Sequence, residues 1–266
     1  MAIESLPLEG EADFREMMAA CWEAFENPFA SFLRIVFYLK GESSEARAES
    51  INEAANNMMA LHGMFPSTSH WIKVVNTETG KLIGAANWMT HESSPYTEPR
   101  PPTVAVWWPE GDGRDYASNY MQQVEAHKSQ YYSRPHVYLN ISFTVPEWRR
   151  RGAGKLMMEW GVKKADEMNV PSFVEASESG TLLYEKFGFM TFGKVDVNTE
   201  KENASAGWKR LQKELPPDTQ YGDVNLWWNT KLMVGRYLMW RPVQGTFIPG
   251  QTSLPWETEP FVPKKF

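Results

Sequence analysis

A single cysteine, Cys21, stands in a chain of 266 residues. No intrachain disulfide can form, and a reducing, intracellular compartment is expected. No run of ~18 consecutive apolar residues occurs, which argues against a membrane-spanning helix. Residues 1–14 lack a cationic start followed by an apolar run, so no secretory leader is expected and a cytoplasmic protein is. Positive charge is also in short supply: 27 Lys+Arg face 33 Asp+Glu, a net charge of -6. Binding a polyanion needs a basic surplus, so neither nucleic acid nor a membrane is expected as a partner. The five histidines and the cysteine show no Cys-x-x-Cys or His-x-x-x-His spacing, so no metal is predicted. No internal repeat or low-complexity tract is present.

Aromatic residues, by contrast, are plentiful: 12 Trp, 10 Tyr and 14 Phe. That is enough to fill a core and line a pocket. At ~150 residues per domain the length allows one or two domains. Phe14, Met17, Met18, Cys21, Trp22 and Phe25 recur at steps of three and four, which predicts a helix over 11–26 stopped by Asn27-Pro28. Ser43 is an N-cap for a second helix reaching His62. Two apolar runs, Trp71–Val75 and Leu82–Met89, flank a polar turn ending in Gly80 and predict a β-hairpin. Residues 91–113, with five prolines and the pair Trp107-Trp108, read as a long loop. A helix over 115–131 leads to an alternating strand over 136–145, then a helix over 153–168. Strands over 171–176, 188–195 and 232–240, short helices over 181–187 and 208–215, and a Pro-rich peripheral arm from Pro242 complete the chain. Helices first, then strands mixed with helices, favour one α+β domain around a mixed sheet.

The densest chemistry lies at Val145-Pro-Glu-Trp-Arg-Arg-Arg-Gly-Ala-Gly-Lys155, where a strand hands over to a helix. A helix N-terminus offers unpaired N–H groups and a positive dipole end, and glycines let an anion approach the backbone. Arginines there oppose the dipole unless an anion is bound, so Arg149, Arg150, Arg151, Gly152, Ala153, Gly154 and Lys155 read as a pyrophosphate cradle. A Walker loop is excluded because no Ser/Thr follows Gly154-Lys155, and a dinucleotide fingerprint because its third glycine is missing.

Arg149-x-x-Gly152-x-Gly154, directly after a strand ending Phe143-Thr144-Val145-Pro146, resembles the Arg/Gln-x-x-Gly-x-Gly/Ala motif of the GNAT superfamily of acyl-CoA-dependent N-acyltransferases. Leu183-Tyr184-x-x-x-Gly188-Phe189 resembles the family's second motif, in the right order. The resemblance covers roughly 71–241 in element order and is specific over 139–189. It implies a mixed, mostly antiparallel twisted sheet flanked by helices, with an enlarged N-terminal helical region and a C-terminal extension. Residues 1–242 would be one such domain and 243–266 an arm. It further implies acetyl-CoA as the cofactor, a small-molecule amine as acceptor, and a monomer or homodimer. The backbone of Phe143, Thr144 and Val145 would pair with the pantetheine arm. Amides of 149–154 would hold the pyrophosphate, helped by the side chains of Arg150 and Lys155. Tyr184 would protonate the departing thiolate, a role suited to a phenol whose ordinary pKa is about 10.

The sequence departs from the family at two points. The pantetheine-contacting Asn is Ser177, followed by Gly180 in place of Ala. Where some members carry a carboxylate base, this chain has Asn140 and Ser142. Two readings follow: an N-acetyltransferase working by direct attack, or a non-catalytic acyl-CoA-binding module. Trp88, Trp107 and Trp108, with Tyr96, are candidates for an aromatic acceptor wall. His136 could relay a proton, His91 and Glu92 could face the acceptor pocket, and Glu175 could act as a base through water, and none is assigned as catalytic.

Overall fold

The computed structural model describes residues 2–96, 98, 100–217 and 236–257. In chain order the elements are β1 (Ile3–Pro7), α1 (Gly10–Glu26), α2 (Ser31–Val36), α3 (Ser44–Met64), β2 (Ser69–Asn76), β3 (Leu82–His91), α4 (Asp112–Glu125), α5 (Lys128–Tyr131) and β4 (His136–Thr144). They continue with α6 (Ala153–Met168), β5 (Ser172–Ala176), α7 (Glu178–Glu185), β6 (Met190–Val195), α8 (Ala206–Glu214) and β7 (Arg236–Arg241). The strands form one seven-stranded sheet in the order β1-β2-β3-β4-β5-β7-β6. Among the described residues only the β4–β5 pair is parallel. The expected mixed, mostly antiparallel sheet flanked by helices is therefore observed.

Local chemistry accounts for the helices. In α1 the stripe Phe14, Met17, Met18, Cys21 and Trp22 is buried, each large side chain contributing ~1.5–3 kcal/mol of apolar burial. Ser43 caps α3 by accepting from the Ala46 amide. The predicted helix over 115–131 is two helices, starting after Gly111, whose φ of 110 needs glycine. β1 and α2 were not expected: β1 has four of its five residues exposed, so no alternating pattern betrays it.

α1 packs on β3 and β4 from one side and α6 from the other. Trp88 marks the α6 face: it has no exposed surface and donates its indole N–H to the Met157 carbonyl of α6 at 3.0 Å. A second apolar cluster gathers Tyr116, Tyr120, Trp108, Trp208 and Leu211. A third joins Tyr132, Tyr138, Phe173, Trp240 and Leu254. The tail therefore does not stand off the surface through 257: Leu254 is buried, and Trp256 packs 4.6 Å from both Tyr131 and Phe192. Residues 232–235 of the expected last strand, 258–266 of the arm and Pro99 of the long loop lie outside the described residues. Among the described residues no helix is long and apolar enough to cross a membrane.

Candidate functional site

The site begins where two parallel strands part. β4 and β5 pair only at Val137↔Ser172, Tyr138↔Phe173 and Leu139↔Val174. Beyond that point β4 stays with β3 as far as Thr144, while Glu175 and Ala176 of β5 stay with β7. A fork opens, and the edge of β4 facing it has no ladder partner among the described residues. Asn140 sits at the fork as the extra residue of a bulge, since Asn87 pairs with Ile141 and Trp88 with Leu139. Its side chain donates to Asn87 Oδ1 at 3.0 Å, and Asn87 Nδ2 donates to Ser69 Oγ at 3.0 Å.

Of the three residues expected to offer backbone to a pantetheine arm, Phe143 and Thr144 border the fork. Val145 does not fit that role. Its N–H is already donated to the Ile83 carbonyl at 3.0 Å, and its C=O accepts from the Trp148 amide at 3.0 Å. The side chains of Phe143 and Val145 are buried, so Phe143 can present only its backbone to a ligand.

A 3-10 turn, Pro146–Trp148, then leads into the glycine loop. Arg150 (φ 61) and Gly152 (φ 98) both adopt left-handed backbone. The first amides of α6, from Ala153 to Lys155, have no acceptor within the helix. The loop is exposed, and the result is a concave, cationic cradle that can hold an anion.

The side chains sort differently from expectation. Arg149 points away from the cradle, donating to the carbonyls of Ala24 (2.7 Å), Asn27 (2.6 Å) and Thr144 (3.3 Å), so its guanidinium caps the C-terminal end of α1. Arg151 lies over the Trp148 ring at 5.3 Å, and Lys155 pairs with Glu159 at 3.4 Å on an exposed helix face. Ala153 is buried and can contribute only its amide. A Cβ on Gly154 would approach Leu183 Cδ2 to 2.8 Å, so the second glycine lets α7 pack against the start of α6.

That packing positions Tyr184. It is buried, and burial pushes its phenol up to about 12, so it stays protonated throughout the physiological range. A Cβ on Gly180 would lie 2.9 Å from the Tyr184 ring, giving the Ala-to-Gly departure a steric reason. Ser177 stands at the N-cap of α7, but its Oγ is 3.2 Å from Ser179 Oγ and caps no amide, leaving the hydroxyl exposed beside the fork.

The predicted aromatic wall is not where the fork is. Trp88 is corrected outright: with no exposed surface and its N–H bonded to α6, it is core and cannot touch an acceptor. Trp107 and Trp108 both donate to the Ile35 carbonyl, at 2.8 and 3.1 Å, within the cluster under α2, α4 and α8. Tyr96 packs instead near Tyr132 and Tyr138. His136 is buried at the far end of β4, its Nδ1 2.6 Å from the Arg134 carbonyl and its ring 4.7 Å from His91.

On the other face of the fork, sequence reasoning named Glu175 but missed the charged cluster around it. Glu175 follows the last β4–β5 pair, and its side chain is 5% exposed. Lys128 Nζ approaches it to 3.6 Å, His127 Nε2 to 3.1 Å, the Tyr138 hydroxyl to 3.2 Å and Arg236 to 3.9 Å. Burial alone would raise its pKa, but Lys128, His127 and Arg236 hold the carboxyl down at about 2. Lys128, buried too, is held above the ordinary lysine range by Glu175.

A parted strand pair, the amides at the start of the following helix and a buried phenol opposite make up the candidate site. The acetyltransferase (GNAT) family model matches residues 49–189, more than half of the chain. The protein belongs to that family, whose fold binds acyl-CoA and whose chemistry is acyl transfer. Over 41 residues the chain is 34% identical to a probable acyltransferase, SID5, of Ajellomyces capsulatus, a match spanning 15% of this chain and 30% of that protein's length. Among solved structures it resembles the C-terminal condensation domain of Ebony, determined with beta-alanyl-dopamine, at a TM-score of 0.57, 13% identity and coverage of 91% and 100% of the two chains. A Corynebacterium glutamicum structure described as histone acetyltransferase HPA2 and related acetyltransferase gives a TM-score of 0.49 at 16% identity, covering 91% and 97%.

Proposed function

We propose that the protein is an acetyl-CoA-dependent N-acetyltransferase that acts on the primary amine of a small molecule by direct attack. The observation that carries this reading is the fork between β4 and β5, opening onto the Gly152–Gly154 cradle on one side and Tyr184 on the other. Phosphate groups of the donor would be held by the loop amides, with Arg150, Arg151 and Lys155 adding charge. The unpaired edge of β4 orients the acyl donor so that an amine meets its carbonyl at short range. As the C–N bond forms and the C–S bond breaks, Tyr184 gives its proton to the sulfur.

The wild-type protein should gain thermal stability with CoA or acetyl-CoA, and Gly154→Glu should abolish the gain by filling the cradle and displacing Leu183. No shift with any acyl-CoA would overturn the cofactor assignment. Asn140 and Ser142, where a carboxylate base is absent, and the Asn-to-Ser change at Ser177 favour a second reading, a non-catalytic acyl-CoA-binding module. Thiol release from acetyl-CoA across a panel of primary amines separates the two. Intact CoA binding with no release from any amine favours the module.

A further inference from the structure

Past its last pair with β5, β4 offers no side chain able to take a proton from an attacking ammonium or amine, yet the fork has a second face. On the α6 face lie Trp88, Leu139 and Val174, aligned by register, with α7 and Tyr184 packed beside α6. Period-two alternation turns Tyr138 and Glu175 to the opposite face. There the junction of α4 and α5 brings His127 against Glu175.

His127 is an unexplained residue. Its side chain is 8% exposed, and neither ring nitrogen completes a hydrogen bond. Nε2 faces Glu175 Oε1 at ion-pair distance, 3.1 Å. Nδ1 has no hydrogen-bond partner among the described residues. A buried imidazole left in this state has a task that protein groups alone do not complete. Packing does not need a titratable ring here, since the neighbouring Tyr132 ring, 5.4 Å away, already supplies the aromatic contact.

We propose that His127 is the general base of the transfer, with Glu175 as its positioning residue. This rests on the acyltransferase reading above. The ring carries its proton on Nε2, facing the Glu175 carboxylate, and presents the Nδ1 lone pair to the fork. There it takes one proton from the amine, directly or across one water, as nitrogen bonds to the acyl carbon. The sulfur leaves on the other face and receives the Tyr184 proton. Tyr184 and His127 then exchange protons with solvent, which restores both. Glu175 itself is a poor base because it stays ionised among Lys128 and Arg236, but an ionised carboxylate is what fixes the imidazole's tautomer.

The other groups facing His127 are compatible with this role. Lys128 on α5 and Arg236 on β7 are committed to Glu175. Glu125 on α4 accepts from Thr103, and the phenols of Tyr132 and Tyr138 are both held above the ordinary tyrosine range by burial. Tyr96, raised for the same reason, is covered by Arg100 at 4.5 Å.

The test follows thiol release from acetyl-CoA against pH, with ethylamine, tyramine and water alone as acceptors, for wild type, His127→Gln and His127→Ala. Wild-type release should rise with pH for each acceptor. His127→Gln should lose about 100-fold at neutral pH and flatten that rise, while the thermal shift with CoA is unchanged. Added imidazole should restore part of the His127→Ala rate, which a purely structural histidine would not allow. An unaltered pH profile in His127→Gln overturns the proposal. So does a wild-type protein that binds CoA but releases no thiol with any of the three acceptors. A wild-type protein that fails to bind CoA overturns the acyltransferase reading instead.

Discussion

Tyr184 and His136 show how burial alone sets the proton state of a residue. Tyr184 has no charged partner among the causes of its shift, and loss of solvent carries its phenol up to about 12. For an acid whose folded pKa is raised, the proton is retained at every working pH, so the donor never becomes limiting on the alkaline side. Tyr184→Phe keeps the ring and its contact with Phe189 at 6.1 Å while removing the proton. The expected result is a fall in kcat of about 100-fold, little change in melting temperature, and an unchanged Kd for CoA. Equal kcat for the two proteins would remove Tyr184 from the chemistry. His136, a base, moves the other way: burial, then nearby His91, lowers it to about 4 despite its bond to the Arg134 carbonyl, so it is neutral and structural.

Elements, rather than single residues, decide how the site is held open. α6 lies close to β3 because Gly161 has no side chain, and a Cβ there would fall inside the ring of the fully buried Trp88. Trp88 cannot yield, since its N–H is tied to Met157 on the same helix. Gly161→Ala should therefore destabilise the fold by ~1–3 kcal/mol or more, despite the better helix propensity of alanine, and chemical denaturation would measure it. A neutral or stabilising outcome would show that α6 can lift off the sheet without harm. Arg149 performs the matching task at the other end of the loop, joining the C-terminus of α1 to the last residue of β4. Arg149→Gln should cost ~1–3 kcal/mol through the lost charged hydrogen bonds. It should also weaken CoA binding, although the side chain does not enter the cradle. A variant that binds CoA less well at full stability would return Arg149 to the pyrophosphate.

Legibility in the sequence follows the same scale. Helix α6 was readable to the residue, because a glycine-rich start and an apolar stripe are local signals, and Ser43 announced α3 for the same reason. The cradle and Tyr184 were readable as two short motifs in order. β1 was not, being an edge strand with almost no buried side. Nor was His127, which sits in the break between α4 and α5, inside a stretch whose pattern reads as one continuous helix. Its meaning depends on Glu175, which topology alone brings to it. The aromatic wall failed for a related reason: two adjacent tryptophans in a Pro-rich loop look exposed, yet the Ile35 carbonyl draws both indoles inward.

At the scale of the whole molecule, the acidic chain keeps a fully buried carboxylate ionised, and this makes folding pH-dependent in a definite direction. Glu175 has a folded pKa of about 2 against an ordinary 4.5, and His136 about 4 against 6.5. Both are depressed, so in each window the unfolded chain binds more protons than the folded one. The contribution of His136 is complete above about 6.5 and is lost as pH falls toward 4. That of Glu175 is complete above about 4.5 and is lost as pH falls toward 2. Melting temperature should therefore fall in two stages on acidification. His136→Gln should erase the upper stage and leave the lower one. Glu175→Gln is expected to act differently, because it leaves Lys128 charged, buried and without its carboxylate. The loss should be ~3–5 kcal/mol at neutral pH, with no further loss in the lower window. Pairing that change with Lys128→Met should recover much of the stability, since an apolar side chain of similar length needs no counter-charge. Failure of the double variant to regain stability would show that the cluster is held by something other than this ion pair.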